Sequence, residues 1–187
     1  MNNNNNNKNK KDHKFKHYLK YIILDILIAG LVSVLLITYV ASAYKIEGNS
    51  MEIVLKDQER IIISKMGVKE GGLKRFDIVV LYKPGNPKKS IIKRIIGLPE
   101  EIIEIRDGVI YINNQKQDET YLEKEKDLMF TSINMKPLLI QKGHYFVMGD
   151  NRPISQDSRS FGPVSEKYIF GKTLFRYWPF SRFGKIE

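Results

Sequence analysis

The sequence predicts a mainly β protein, with a single N-terminal transmembrane helix followed by an extracytoplasmic antiparallel β-fold. Three observations carry that class. The stretch from Tyr21 to Val40 is apolar, with Asp25 as its only carboxylate. Behind it, short runs rich in β-branched and aromatic residues alternate with turn signals. The 187 residues, 42% apolar and 28% charged, suit one globular domain plus an extra element.

The extra element comes first. As a helix rising about 1.5 Å per residue, Tyr21 to Val40 reaches about 30 Å, the thickness of a bilayer core. A cleavable signal peptide competes with this reading, because Ala41-Ser42-Ala43 fits the small-x-small cleavage rule. Such peptides have an apolar core of only about 7–15 residues, so length favours an anchor. A buried core helix would need a polar face, and Ile22 to Leu36 shows none beyond Asp25 and Ser33. We therefore expect a basic, Asn-rich cytoplasmic tail over 1–17 and a transmembrane helix over 18–43. Lys8, Lys10, Lys11, Lys14, Lys16 and Lys20 precede the span and only Lys45 follows closely, which orients the N-terminus to the cytoplasm and the remaining chain outside. Asn2 to Asn7 has no apolar surface to bury and is expected to be disordered. Asp25, one turn into the span, is read as reaching the headgroup region.

The formal charge of +10 raises nucleic acid as a partner. Its distribution argues against one, since six lysines sit on the cytoplasmic flank and those outside are scattered among all the acidic residues except Asp12 and Asp25. A solvated basic surface against anionic lipid headgroups explains the charge better, and the bilayer is the expected partner. The chain has no cysteine, which removes a thiol nucleophile and a thiolate metal site. His144 is the only histidine beyond the span, and with scattered carboxylates it shows no ligand spacing. No cofactor or metal is expected.

The domain over 44–187 is punctuated like a β protein. Expected strands are Arg60 to Ser64, Asp77 to Tyr82, Ser90 to Ile96, Glu101 to Ile105, Val109 to Ile112, His144 to Met148 and Tyr168 to Arg176. Gly71-Gly72, Pro84 to Pro87, Gly97-Leu98-Pro99, Asp107-Gly108, Asn113-Asn114 and Lys142-Gly143 supply the turns. Asp107-Gly108 is a strong hairpin signal, because two-residue turns need positive φ. The polar, aperiodic region near 115–136 reads as an insertion leaving the sheet.

The chemistry starts from a serine. A hydroxyl is a poor nucleophile unless a base takes its proton, and a neutral lysine amine can do so where burial lowers its pKa. Lys93 is placed for that. By period-two alternation Ile91, Lys93 and Ile95 share one strand face, and Ile92, Arg94 and Ile96 the other. Lysines in strands are more often solvent-exposed, so Lys93 alone does not decide the matter. Ser50 stands in an ordinary turn composition, Gly48-Asn49-Ser50. Its position is more informative, since the seven residues from Ala43 span at most about 25 Å and keep the hydroxyl near the membrane surface. In the polar stretch Asp150 to Arg159, Ser155, Asp157 and Arg159 alternate and can face one way.

Taken together, these segments resemble the type I signal peptidases, in particular the small single-span form of Gram-positive bacteria. Gly48-Asn49-Ser50-Met51 looks like the nucleophile box, Phe76-Asp77-Ile78-Val79-Val80 like the next strand, and Lys93-Arg94-Ile95-Ile96-Gly97-Leu98-Pro99 like the general-base box. Gly149 to Arg159 matches Gly-Asp-Asn-Arg-x-x-Ser-x-Asp-Ser-Arg at every defined position. The resemblance implies a membrane-bound serine endopeptidase that removes signal peptides from secretory preproteins after small-x-small sites and acts as a monomer. It implies that Ser50 attacks the scissile carbonyl and that Lys93 serves as general base, then as general acid. It also implies that Ser155 hydrogen-bonds the lysine, that Asp157, Arg159 and Arg94 form one ion-pair cluster, and that the Ser50 N–H stabilises the oxyanion. Shallow substrate pockets would be lined by Met51, Ile78, Val80, Leu81, Ile91 and Ile92.

The sequence departs from the family in four places. Met51-Glu52-Ile53-Val54 stands where Met-x-Pro-Thr is usual, so the turn that aims Ser50 can differ. Glu100-Glu101 replaces Gly-Asp, and Phe76 replaces a common glycine. Gly48 stands where some members carry a serine that adds a second oxyanion donor. A catalytically impaired, membrane-anchored β-domain that binds exported peptides is the alternative, but it leaves Ser155, Asp157 and Arg159 without a purpose. A self-cleaving serine/lysine regulator would need a helix-turn-helix, which the residues before the span cannot supply.

Overall fold

A computed structural model describes residues 3–68, 72–122 and 133–186, with the backbone alone for 3–16, 36 and 37. Residues 1–40 and 41–187 form two compact units. In the first, helix α1 (Asn3–Leu35) continues into a wider helical turn, Leu36–Val40. His17–Val40 is apolar enough to cross a membrane, with a mean hydropathy of 2.5 over its best window. Two expectations are corrected here. The asparagines from Asn3 onward are helical rather than disordered, because extending an existing helix adds one hydrogen bond per residue fixed and avoids nucleation. The helix also stops at Val40, and Ala41–Ala43, expected inside it, belong to strand β1 (Ala41–Lys45).

The second unit is antiparallel throughout its described strands. The larger sheet contains β1, β2 (Arg60–Ser64), β3 (Ile78–Lys83), β4 (Asn86–Gly97), β9 (His144–Met148), β10 (Val164–Ser165), β11 (Ile169–Trp178) and β12 (Gly184–Lys185). Its order is β1-β2-β11-β3-β4-β9-β10, with β12 also on β11. The smaller sheet runs β7-β6-β5-β8, made of β5 (Ile102–Arg106), β6 (Val109–Ile112), β7 (Gln115–Lys116) and β8 (Met135–Leu139). Turn chemistry sets its registers. Asp107 and Gly108 both have positive φ, 47° and 76°, and join β5 to β6 with Arg106 opposite Val109. Asn113 and Asn114, at 49° and 66°, do the same for β6 and β7.

The expected insertion at 115–136 is therefore partly sheet. Its first residues pair with β6 and its last two open β8, while 123–132 lie outside the described residues. Strand β8 escaped the sequence reading because Lys136 and Pro137 are poor strand residues, but an edge strand tolerates both.

Three apolar clusters hold the domain. On β3, Val79 and Leu81 face one cluster with Ile95, Tyr145, Val147 and Ile169, while Ile78 and Val80 face a second with Ile46, Met51, Leu55, Ile61, Ile63 and Ile92. The third joins the sheets through Ile96, Phe146 and Met148 against Ile103, Ile105, Ile110 and Ile112. The larger sheet is thus buried on both faces at β3 and β4, and this is what allows β4 to carry charged side chains away from water.

Candidate active site

Ser50 opens a tight turn. The Glu52 N–H donates to Asn49 O at 3.1 Å and the Leu55 N–H to Met51 O at 2.7 Å. Met51 and Leu55 are buried, so the second core cluster anchors the turn from below. Its exit is held by ions, because the Val54 carbonyl accepts from Arg176 Nη1 at 3.0 Å and Arg182 Nη2 at 3.2 Å. Both guanidinium groups also pair with the buried carboxylate of Glu59. The Ile53-Val54 departure is accommodated within this turn. Among the described residues the Ile53 N–H has no backbone acceptor, so a proline's missing donor would make no difference there.

Lys93 lies on β4 opposite Val79, on the face that carries Ile91 and Ile95, and is only 2% exposed. Its Nζ is 2.6 Å from Ser50 Oγ. Burial is the main reason its pKa falls from 10.5 to about 8. The carboxylates of Asp157 and Asp150 pull it back up, and Arg159 and Lys83 push it down. While Nζ is charged it donates to Oγ. Once it has lost a proton, its lone pair accepts from the Oγ–H, the arrangement a general base requires.

The segment after β9 packs onto both groups. An added Cβ at Gly149 would lie 2.2 Å from Ser155 Oγ and 2.5 Å from the Ser50 carbonyl, so only glycine lets this strand end approach the nucleophile. The Asn151 N–H donates to Ser50 O at 3.0 Å, and Asn151 Nδ2 to Asn49 O at 3.2 Å. Asp157 caps the short helix α2 (Ser158–Phe161) and accepts from the Gly149 N–H at 3.0 Å. Burial would push the Asp157 carboxyl up. The Arg159 guanidinium, pairing at 2.8 Å, wins and holds it below its ordinary value, helped by Gly149 and Ser155.

Ser50, Lys93, Asp157 and Arg159 are thus brought together, but three details differ from expectation. The single ion-pair cluster resolves into two pairs, with Arg159 on Asp157 and Arg94 bidentate on Asp150 at 2.9 and 2.8 Å. Alternation sends Arg94 to the face opposite Lys93, where Asp150 meets it. The hydroxyl of Ser155 makes no hydrogen bond to Lys93. It is buried without a well-aligned partner among the described residues and lies near the Asp157 carboxylate. Finally, the six expected pocket residues do not share a face. Met51, Ile78, Val80 and Ile92 belong to the second cluster, whereas Leu81 and Ile91 pack with the first. Residues of opposite parity on one strand cannot line one groove.

Sequence reasoning missed Asp150, Asn151, Arg152, Glu59, Glu119 and Tyr121 as parts of this assembly. The first three lie inside the polar stretch already singled out. Nothing local marks Glu59, Glu119 or Tyr121, whose arginine partners are distant in the sequence.

Known proteins resemble this chain along most of its length. The family model described as signal peptidase, peptidase S26, matches residues 18–178. Signal peptidase IB of Staphylococcus aureus is 38% identical over 181 residues, covering 90% of this chain and 93% of that protein. Signal peptidase I of Bacillus caldolyticus is 38% identical over 156 residues, covering 78% and 84%. A crystal structure of a signal peptidase I from Enterococcus faecalis aligns with a TM-score of 0.48 and 35% identity, over 54% of this chain and 95% of that one. On the family model and the curated relatives, the chain belongs to the signal peptidase family, peptidase S26, and is a serine endopeptidase acting on signal peptides.

Proposed function

We propose that the peptidase works through a Ser50–Lys93 dyad and cuts exported preproteins after small-x-small sites. The observation that carries this reading is the 2.6 Å approach of a buried lysine amine to Ser50 Oγ. Lys93 takes the Oγ proton as Oγ bonds to the scissile carbonyl carbon. The oxyanion meets the Ser50 N–H, for which no acceptor is found among the described residues. The Lys93 ammonium then gives its proton to the leaving amine, and a water activated by the same amine releases the acyl group. Asp157, Arg159 and Ser155 hold the nearby loop, and Arg94 does so through Asp150.

The chain is anchored in the bilayer as a monomer by the span within His17–Val40, with its lysine-rich N-terminus cytoplasmic and the β-domain outside. Nine residues lie between Val40 and Ser50, a tether that keeps the dyad close to where a preprotein leaves the membrane.

The test incubates the detergent-solubilised full chain with a preprotein carrying an Ala-x-Ala site and maps the products by mass spectrometry. Cleavage after the second alanine is expected, falling roughly 10³-fold or more in Ser50→Ala, Lys93→Ala and Lys93→Arg. The arginine variant fails because a guanidinium does not deprotonate. Retained turnover in a Lys93 variant removes the lysine from the mechanism. Binding without cleavage by the folded, unsubstituted chain favours the impaired peptide-binding alternative.

A further inference from the structure

Outside the dyad, an aromatic residue of the polar excursion reaches the back of the catalytic strand. Tyr121 lies in the short helical turn Thr120–Leu122, after β7. The Arg94 guanidinium carbon sits 3.9 Å from the centre of its ring, well within cation–π range. Further contacts fix Arg94, among them two to the Asp150 carboxylate and one to the Phe76 carbonyl at 3.0 Å. The tyrosine is itself held in place. Its hydroxyl, kept protonated by burial, donates to Glu119 Oε1 at 2.5 Å. Glu119 pairs with Arg152, whose Nε donates to the Gly149 carbonyl at 3.1 Å. Two arginines of the catalytic segments, Arg94 and Arg152, therefore clamp onto one turn of the excursion.

We propose that Tyr121 is a positioning residue: its ring presses the Arg94 guanidinium against Asp150 and so sets the charge balance around Lys93. The inference rests on the reading of Lys93 as the general base. Lys93 touches Ser50 of the nucleophile turn, and four charges act on it: Asp157 and Arg159 from the segment after β9, Lys83 from β3, and Asp150 from across the strand. Both carboxylates that favour its ammonium form are paired, Asp157 with Arg159 and Asp150 with Arg94. If Arg94 is less firmly held, Asp150 acts on Lys93 with more of its charge, and the free amine becomes scarcer at neutral pH.

The experiment replaces Tyr121 with Phe and then with phenylalanines of increasing fluorination, which weaken the ring's negative face at nearly constant volume. Tyr121→Leu provides the limiting case. The full chain in detergent is titrated by NMR of the Lys93 ε-carbon, assigned through Lys93→Ala, beside its preprotein cleavage rate as a function of pH. We expect Tyr121→Phe to leave the Lys93 midpoint unchanged. Graded fluorination should raise it to about half a unit above the starting value, leaving about threefold less free amine at pH 7. The acid limb of cleavage should move by the same amount while KM stays constant. A midpoint that does not respond to fluorination overturns the proposal, even where thermal stability falls, since a purely structural contact predicts only that fall. A midpoint that moves in a chain whose cleavage does not depend on Ser50 and Lys93 supports the positioning role and defeats the dyad reading instead.

Discussion

Lys93 is the residue at which stability and chemistry oppose each other. The unfolded chain keeps this proton up to about pH 10.5 and the folded chain only up to about pH 8, so between those values the unfolded state binds more protons and folding stability rises with pH. At pH 7 the full penalty is present, about 3 kcal/mol. Lys93→Met is therefore expected to raise unfolding stability at pH 7 by up to that amount, with the advantage fading above pH 8. Urea titrations at pH 7 and near pH 10 check the sign. The same shift sets the rate profile, and cleavage should rise about tenfold per unit below pH 8 and level off above it. Two departures from the family also gain a physical reading at this scale. Phe76 and Glu100, both standing where glycine is usual, have φ of 70° and 68°, the left-handed region. Phe76 recovers part of the cost by packing against Tyr121. Exposed Glu100 has no ring to stack, and Glu100→Gly should stabilise the chain by about 1 kcal/mol in thermal melts.

Elements were legible where period and punctuation agreed. Val109–Ile112, His144–Met148 and Arg60–Ser64 were read to the residue, because each is an apolar run bounded by turn residues. Strands β1, β8, β10 and β12 carry no such run and exist because a neighbouring strand offers them an edge. The site divides the same way. Ser50 and Lys93 were marked by position and local pattern and assigned through the family resemblance, whereas the Arg94–Asp150 pairing depends on which side of β4 meets the segment after β9, a tertiary fact. Strand β1 has a consequence of its own. Ala41, Ser42 and Ala43 pair in register with Ser64, Ile63 and Ile62, so the segment is held against a sheet. A Ser50→Ala copy mixed with active enzyme should stay intact after Ala43, while a synthetic peptide of the same segment is cut. Mass spectrometry of the mixture decides it.

At the scale of the molecule, helix and β-domain are separate compact units, and the three clusters that hold the domain draw only on residues beyond Val40. A chain starting at Ala41 should keep the β-domain's circular dichroism and cut a short Ala-x-Ala peptide, losing mainly its advantage on membrane-inserted preproteins. Loss of fold in that chain would show that the helix contributes to the domain core. The domain's exposed aromatics concentrate in its last strand and tail, where Trp178 stacks edge-on with Phe180 at 5.1 Å and Phe175 lies 5.9 Å from Phe183. Trp178 is the only tryptophan in the chain and is 46% exposed. The protein's indole emission therefore comes from one spot on its surface, and its colour and quenching report the polarity there without any attached dye.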